Sequence, residues 1–303
     1  MTGFAPASPA LAALLARVVD YAGLFPPARL GMQDAVLAYA DYRNGADAWM
    51  LGRFVVPASR LEEFDEAGAG VLPESAAASW ALSALVGADA ELDASSIARF
   101  NDRHRDVRHG AVHVDTVEIK ATRADEVRAA NDFLGAYDIF VEVPLLEDPE
   151  ALIAVIGDVG AKAKIRTGGL TPDAIPGARH VLRFLRACLE YDVAFKATAG
   201  LHHPLRAEYP LTYEPDAPRG VMYGYLNVFL AAAFLRAGLD EADVLALLEE
   251  RDPAAIHVEA DRIGWRNFSV DTDALRRSRH EAVAFGSCSF REPVDELRAL
   301  GLS

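Results

Sequence analysis

Short apolar segments typical of strands alternate along the chain with longer segments typical of helices, and this alternation restricts the possible folds more than any other feature. The predicted strands are residues 48–57, 80–87, 112–120, 138–145, 161–166, 193–198, 255–260 and 282–290. Strands separated by helices build parallel sheets from βαβ units. Eight of them predict an α/β fold, a single parallel (β/α)8 barrel of the TIM type, for which 303 residues is an ordinary length.

Two additions to this barrel are expected within one domain that spans residues 1–303. Residues 1–45 predict two N-terminal helices, the first running from Pro9 to about Gly23, which precede the first strand and cap the bottom of the barrel. Residues 205–250 predict a long loop rich in Pro and Tyr, a candidate lid over the strand ends, followed by a late helical insertion.

Two smaller segments also carry expectations. The sequence DYAGLFPP, residues 20–27, predicts a helix end that packs on the core. The side chains of Tyr223, Tyr225 and Asn227 are expected to lie on the surface of the late helix or at an interface.

Charge and cysteine content restrict the partners and the compartment. The net charge of −15 argues against nucleic acid and anionic membranes, because both would repel the chain, so a small-molecule substrate is expected. Homo-oligomer formation is left open. Cys188 and Cys288 lie far apart without metal-ligand spacing, so no disulfide framework is implied and the cytoplasm is expected. Arg17 and Asp20 interrupt the N-terminal apolar run, which argues against a signal peptide.

Lysine is scarce, and its positions are informative. Of 30 Lys and Arg residues, only Lys120, Lys162, Lys164 and Lys196 are lysines, and all lie in predicted strands. A buried amine can shift its pKa and lose its proton, whereas a guanidinium stays charged. The lysines are therefore candidates for chemistry that arginine cannot perform, with buried ion pairs as the alternative interpretation.

Alternation along the strands places charged side chains on one face of four consecutive strands. Strand by strand, they are Glu118 and Lys120, then Glu142, then Lys162, Lys164 and Arg166, and finally Lys196 beside Thr198. Since the outer face of a barrel packs on helices, we expect these groups to converge inside the mouth. Crowded cations would lower the pKa of one amine, unless the groups form a purely structural layer of ion pairs.

Two lysine motifs on neighbouring strands resemble a known family. Lys164-Ile-Arg-Thr-Gly-Gly169 and Lys196-Ala-Thr-Ala-Gly200 are similar to the paired lysine motifs of deoxyribose-phosphate aldolase and its class I aldolase relatives. The resemblance implies that Lys164 is the Schiff-base nucleophile and that Lys196 is the electrostatic partner that lowers its pKa. It also implies Glu118 or Glu142 as the acid or base, and no cofactor.

The resemblance covers residues 112–200 and 284–290, and it has departures. The turn after Lys196 reads AGLHHP and lacks the family's phosphate-binding Gly-Gly-Ile-Arg, which speaks against a phosphorylated substrate, and Arg166 stands where the family has a small residue. Cys288 lies in a Gly-Ser turn that matches a phosphate-holding turn, and we favour anion binding by that backbone over a nucleophilic thiol. The predicted substrate-binding residues are Lys120, Arg166, Thr167, Gly168, Thr198, His202, His203, Gly286, Ser287 and Ser289.

Three functions are consistent with these residues. The first is a class I Schiff-base aldolase-like lyase acting on a small carbonyl compound. The second is a metal-dependent isomerase or hydrolase that uses Glu118, Glu142 and His202, with the segment HVEAD at 257–261 as a weaker metal-binding pattern. The third is a non-catalytic barrel that binds an anionic metabolite through Arg166, Lys196 and the Gly-Ser turn.

Overall fold

A closed barrel of eight parallel strands forms the centre of the computed structural model, which describes residues 8–302. The strands are β1 (Val19–Tyr21), β2 (Leu51–Pro57), β3 (Trp80–Leu85), β4 (Val112–Lys120), β5 (Asp138–Glu142), β6 (Lys162–Arg166), β7 (Phe195–Thr198), β8 (Ala207–Pro210), β9 (Arg219–Met222), β10 (Ile256–Val258), β11 (Arg262–Trp265), β12 (Phe268–Asp271) and β13 (Ala282–Ser287). Strands β1 to β7 follow chain order around the barrel, and β13 closes it between β7 and β1. The predicted fold class is confirmed.

Helices surround the barrel because most barrel strands are connected through a helix that covers their outer face. They are α1 (Pro9–Leu15), α2 (Met32–Asn44), α3 (Leu61–Gly68), α4 (Ala90–Arg103), α5 (Ala124–Leu134), α6 (Glu150–Asp158), α7 (Ala178–Glu190), α8 (Tyr225–Arg236), α9 (Glu241–Leu248), α10 (Thr272–Glu281) and α11 (Arg291–Ala299). Aromatic pairs join the two layers: Phe64 of α3 meets Phe54 of β2 at 5.2 Å between ring centroids. No helix in residues 8–302 is long and apolar enough to cross a membrane.

The first barrel strand lies inside the segment that the sequence predicts as a helix. Helix α1 ends at Leu15, and Arg17 has a φ of +54°, which an α-helix cannot accommodate. Strand β1 then pairs with both β13 and β2. The second predicted helix, α2, therefore follows a barrel strand. Of the helices in residues 8–302, α1 alone precedes the barrel, and there the backbone N–H of Ala10 donates to the carbonyl of Ala260.

The predicted barrel strand at 255–260 is wrong. Strand β10 pairs antiparallel with β11, and β11 pairs with β12, in a separate three-stranded sheet beside α1. The alternating polar pattern is that of a strand, but pattern alone does not determine a strand's partner. His257, Glu259 and Asp261 are exposed there and lie outside the barrel mouth.

Residues 205–250 are more ordered than the sequence suggests. Strands β8 and β9 form an antiparallel hairpin where a structureless loop is expected, and the helical insertion consists of α8 and α9. The prediction that Tyr223, Tyr225 and Asn227 lie on the surface of the late helix or at an interface is wrong, because all three are fully buried within the chain. Tyr225 stacks on Phe285 of β13, with ring centroids 5.0 Å apart, and Asn227 Nδ2 donates to the carbonyls of residues 247 and 250 on the neighbouring helix end.

Candidate active site

A cavity of about 460 Å³ opens at the carboxyl ends of the barrel strands. This is the end where barrel enzymes carry their reactive groups. Its polar wall is made of Glu118, Lys120, Glu142, Lys164, Arg166, Lys196, Thr198, His202, His203, Thr212, Tyr213, Cys288 and Glu292. Its apolar wall includes Phe25, Pro26, Pro27, Val55, Leu85, Leu170, Leu211 and Met222.

Five ionisable side chains form a continuous chain of contacts, here called the lysine–carboxylate network: Asp20, Lys196, Glu118, Lys164 and Glu142. Lys196 Nζ donates to Asp20 Oδ2 at 2.6 Å and to Glu118 Oε1 at 2.7 Å. Lys164 Nζ lies 2.9 Å from Glu118 Oε2 and 2.8 Å from Glu142 Oε2. Glu118 is therefore shared by the two lysines, one on each carboxylate oxygen.

Strand register brings these groups together. Lys164 is aligned with Lys196 on one side and with Glu142 on the other, so three consecutive strands present charged groups at one level. Glu118 reaches the same level from β4. Of the charged groups predicted to converge inside the barrel mouth, these four are in contact there. Lys120 and Arg166 lie at the rim, and Lys162 instead pairs with Asp138 at 2.9 Å.

Asp20 is a member of the network that the sequence reasoning missed. It belongs to β1, is buried, and accepts a hydrogen bond on Oδ1 from the backbone N–H of Arg53 at 2.8 Å. Gly52 leaves the space for it, since a Cβ there would lie 2.4 Å from Asp20 Oδ1. The only signal was a single acid inside the apolar run ARVVDYAGL.

Buried partners fix the centre of the network. Ser83 of β3, also missed, donates through Oγ to Glu118 Oε1 at 2.7 Å. Burial raises the pKa of Glu118, but the charges of Lys164 and Lys196 outweigh burial and hold that pKa well below its usual range. Burial lowers the pKa of Lys196, and the charges of Asp20 and Glu118 outweigh it and raise that pKa above its usual value. Lys196 is therefore a cation at neutral pH.

The outer end of the network opens toward the cavity. Glu142 is also approached by Lys120 Nζ at 3.6 Å and by Arg166 Nη1 at 3.9 Å. Burial raises the pKa of Glu142, but the positive charge of Lys164, followed by those of Arg166 and Lys120, outweighs it and lowers that pKa. Glu142 is therefore a carboxylate at neutral pH, in contact with an amine and next to the cavity.

A second group of titratable side chains, here called the histidine cluster, consists of His202, Tyr213, Cys288 and Glu292. His202 Nδ1 lies 2.9 Å from Glu292 Oε2, and the Tyr213 hydroxyl donates to the same oxygen at 3.0 Å. Cys288 Sγ lies 3.6 Å from the Tyr213 oxygen. Burial lowers the pKa of His202, but its contacts with Cys288 and Glu292 raise it to about 9, so this wall carries a closed imidazolium–carboxylate pair. Sequence reasoning missed Tyr213 and Glu292.

Four predicted substrate-binding residues lie at the ends of strands or in the turns after them and do not line the cavity in the described part of the chain: Thr167, Gly168, Ser287 and Ser289. Thr167 Oγ1 donates to the carbonyl of Ala199 at 2.7 Å, and Ser287 Oγ donates to the carbonyl of Ser289 at 2.6 Å. Gly168 packs against the backbone of Gly200. These contacts stabilise the local backbone. The other six predicted substrate-binding residues lie on the cavity wall: Lys120, Arg166, Thr198, His202, His203 and Gly286.

Two segments cover the mouth. The turn after β1 lines the cavity with Phe25, Pro26 and Pro27, so it does more than end a helix on the core. The connection within the β8–β9 hairpin contributes Leu211 and Tyr213, which agrees with the expected position of a lid over the strand ends.

Within residues 8–302, no group of three or more His, Cys, Asp or Glu side chains is arranged to hold a metal ion. Glu118 and Glu142 face lysines, whereas His202 faces Glu292. The set proposed from the sequence for a metal, Glu118, Glu142 and His202, is therefore divided between two clusters.

Comparisons with known proteins add little to this geometry. No family model and no curated protein matches the chain. One solved structure, described as "QR15, an Aldolase", is similar to it at 13% sequence identity and a TM-score of 0.41, over 63% of this chain and 83% of that chain. This likeness is too low to bear on chemistry, so function is inferred from the site itself.

Proposed function

We propose that the protein is a class I aldolase-like lyase that forms an imine between Lys164 and a small aldehyde or ketone. The observation that carries this is an amine held between two carboxylates on the wall of a cavity at the strand ends. An amine nucleophile needs groups within hydrogen-bond reach that exchange its protons. Lys164 has Glu118 at 2.9 Å and Glu142 at 2.8 Å.

Imine formation can be written in terms of these groups. The ammonium form of Lys164 gives up one proton, and its nitrogen attacks the carbonyl carbon to form a C–N bond. A second proton leaves the nitrogen, the carbonyl oxygen takes up both protons, and water departs from an iminium that keeps one positive charge. Glu142 is the group placed to carry these protons, because Glu118 is already held by Lys196 and Ser83.

Carbon–carbon cleavage follows the same electron flow. In a bound β-hydroxy carbonyl compound, a carboxylate removes the hydroxyl proton and the bond between the α and β carbons breaks. Its electron pair moves to the iminium, which becomes a neutral enamine, and the β carbon leaves as an aldehyde. Protonation of the enamine carbon and addition of water then release the second product and restore Lys164.

The geometry supports this reading over the two alternatives. Anion binding by Lys196 would compete with two carboxylates at 2.6 and 2.7 Å. A metal site at Glu118 and Glu142 would have to displace both lysines. Cytoplasmic location and homo-oligomer formation stay predictions.

The test is intact-mass analysis after incubation with small aldehydes and ketones and reduction by borohydride. We expect a reduced adduct in the wild type and none in Lys164→Met or in Lys164→Arg, which keeps the charge but not the nucleophile. Lys162→Met is the matched control, because Lys162 lies on the same strand but pairs with Asp138 at 2.9 Å. A folded wild type that gives no adduct with any carbonyl contradicts the proposal, as does an adduct that persists in Lys164→Met.

A further inference from the structure

Two cations beside Lys164 have only loose partners. Arg166 Nη1 is 3.9 Å and Lys120 Nζ is 3.6 Å from the Glu142 carboxylate, beyond the usual hydrogen-bond range. Their side chains are 51% and 79% exposed, against 6% for Lys164. Within the described chain, neither has another carboxylate within ion-pair distance, and Glu142 is already occupied by Lys164. Both cations therefore remain available to a ligand.

Charge balance in the mouth points the same way. The lysine–carboxylate network and its two rim cations together contain three carboxylates and four cations, and an iminium on Lys164 keeps that excess of one positive charge. A substrate that brings one negative charge would neutralise the group. A neutral aldehyde or ketone would leave this excess of positive charge at the rim without a counter-charge from the substrate.

Distance restricts where the negative group stands on the substrate. Arg166 follows Lys164 by two positions on β6, so both side chains lie on the same face. Glu142 Oε2 lies 2.8 Å from Lys164 Nζ and 3.9 Å from Arg166 Nη1. The distance between Arg166 Nη1 and Lys164 Nζ therefore cannot exceed the sum of these two distances. Such a gap suits a carboxylate bonded directly to the carbonyl carbon.

We propose that the substrate bound at Lys164 is a 2-oxo acid, whose carboxylate is held by Arg166 and Lys120. This inference rests on the imine chemistry of the proposed function. A phosphate group at the far turns is not favoured, because the hydroxyls of Thr167 and Ser287 bond to backbone carbonyls there. The nearby His202 is already paired with Glu292.

The experiment compares borohydride trapping of pyruvate with that of methyl pyruvate, which has the more electrophilic ketone but no charge. We expect the wild type to trap pyruvate faster. Arg166→Gln should reduce the ratio of the two trapping rates by about tenfold or more, the effect of losing one charged hydrogen bond. Arg166→Lys should restore part of the ratio, and Lys120→Met should reduce it less, because Lys120 is more exposed. Arg186→Gln is the control, since Arg186 is 49% exposed on α7 and pairs with Glu241.

The outcomes separate the two proposals. Trapping of methyl pyruvate at a rate equal to or above that of pyruvate overturns the 2-oxo acid inference and leaves the imine chemistry intact. An Arg166→Gln protein that keeps the native melting temperature and an unchanged ratio also overturns it. A wild type that traps neither compound nor any other carbonyl overturns the imine chemistry, and this inference falls with it.

Discussion

The two ends of the lysine–carboxylate network place the same residue type in different surroundings. Lys164 and Lys196 are aligned on neighbouring strands and share Glu118. At the inner end, Lys196 is 1% exposed and is held by Asp20 from β1 at 2.6 Å. At the outer end, Lys164 meets Glu142 at the cavity, with two loosely held cations nearby. Register makes the two lysines neighbours, whereas their surroundings differ, and this difference is the reason for proposing Lys164 and not Lys196 as the reactive amine.

The largest expected difference between the two ends is in stability. Asp20→Asn should lower the free energy of unfolding by about 3–5 kcal/mol, because it leaves a buried lysine short of one carboxylate. Glu142→Gln should cost less than Asp20→Asn, because Lys164 keeps Glu118 and borders the cavity, where solvent can reach it. Urea denaturation of both variants measures the difference. Equal losses would show that the inner end is no more enclosed than the outer one.

Ser83→Ala probes the carboxylate that both ends share. Loss of the hydroxyl that donates to Glu118 should lower the free energy of unfolding by about 1–2 kcal/mol, since a buried acceptor loses a partner. Ser79→Ala, at an exposed contact with His113, is the control and should change it by less than about 0.5 kcal/mol. A Ser83→Ala protein as stable as the control would mean that the lysines alone hold Glu118.

The smallest effect is on the pH dependence of stability. The pKa of Lys196 is raised above its unfolded value of about 10.4, so its stabilisation is fully present below that pH and is lost as pH rises through the folded pKa. The pKa of Glu118 is lowered from about 4.3, so its contribution is present above that pH and is lost as pH falls. Unfolding curves measured from about pH 3 to about pH 11 reach the onset of the acid loss from Glu118 and of the alkaline loss from Lys196.

Asp20→Asn tests the source of the alkaline loss of stability, because it removes one of the two charges that raise the pKa of Lys196. We expect the variant to lose less stability than the wild type above about pH 10. Identical alkaline losses in the two proteins would contradict the assignment of Lys196 as a cation held by Asp20.

The sequence was sufficient for the parts of the site that lie on long, regular strands. On β4 and β6, alternation placed Glu118 and Lys164 on the inner face, and the scarcity of lysine singled out Lys164 and Lys196. Their convergence followed from parallel pairing alone, since parallel strands bring their carboxyl ends to one edge.

Alternation along the strands could not reveal β1, the partner of β10 or the pairing of His202 with Glu292. Strand β1 has three residues, all buried, so it shows no alternation, and Asp20 was hidden in an apolar run. Strand β10 was counted as a barrel strand because a polar alternating pattern does not reveal its partner. The pairing of His202 with Glu292 joins distant segments whose meeting depends on barrel closure.

The most direct test of the different roles of the two lysines is to locate the adduct. After borohydride trapping of a carbonyl compound that labels the wild type, proteolysis and peptide mass analysis identify which of the four lysines carries the label. We predict that the label is on Lys164 and absent from Lys196. A label on Lys196, or one spread evenly over the lysines, would contradict the assignment of Lys164 as the reactive amine.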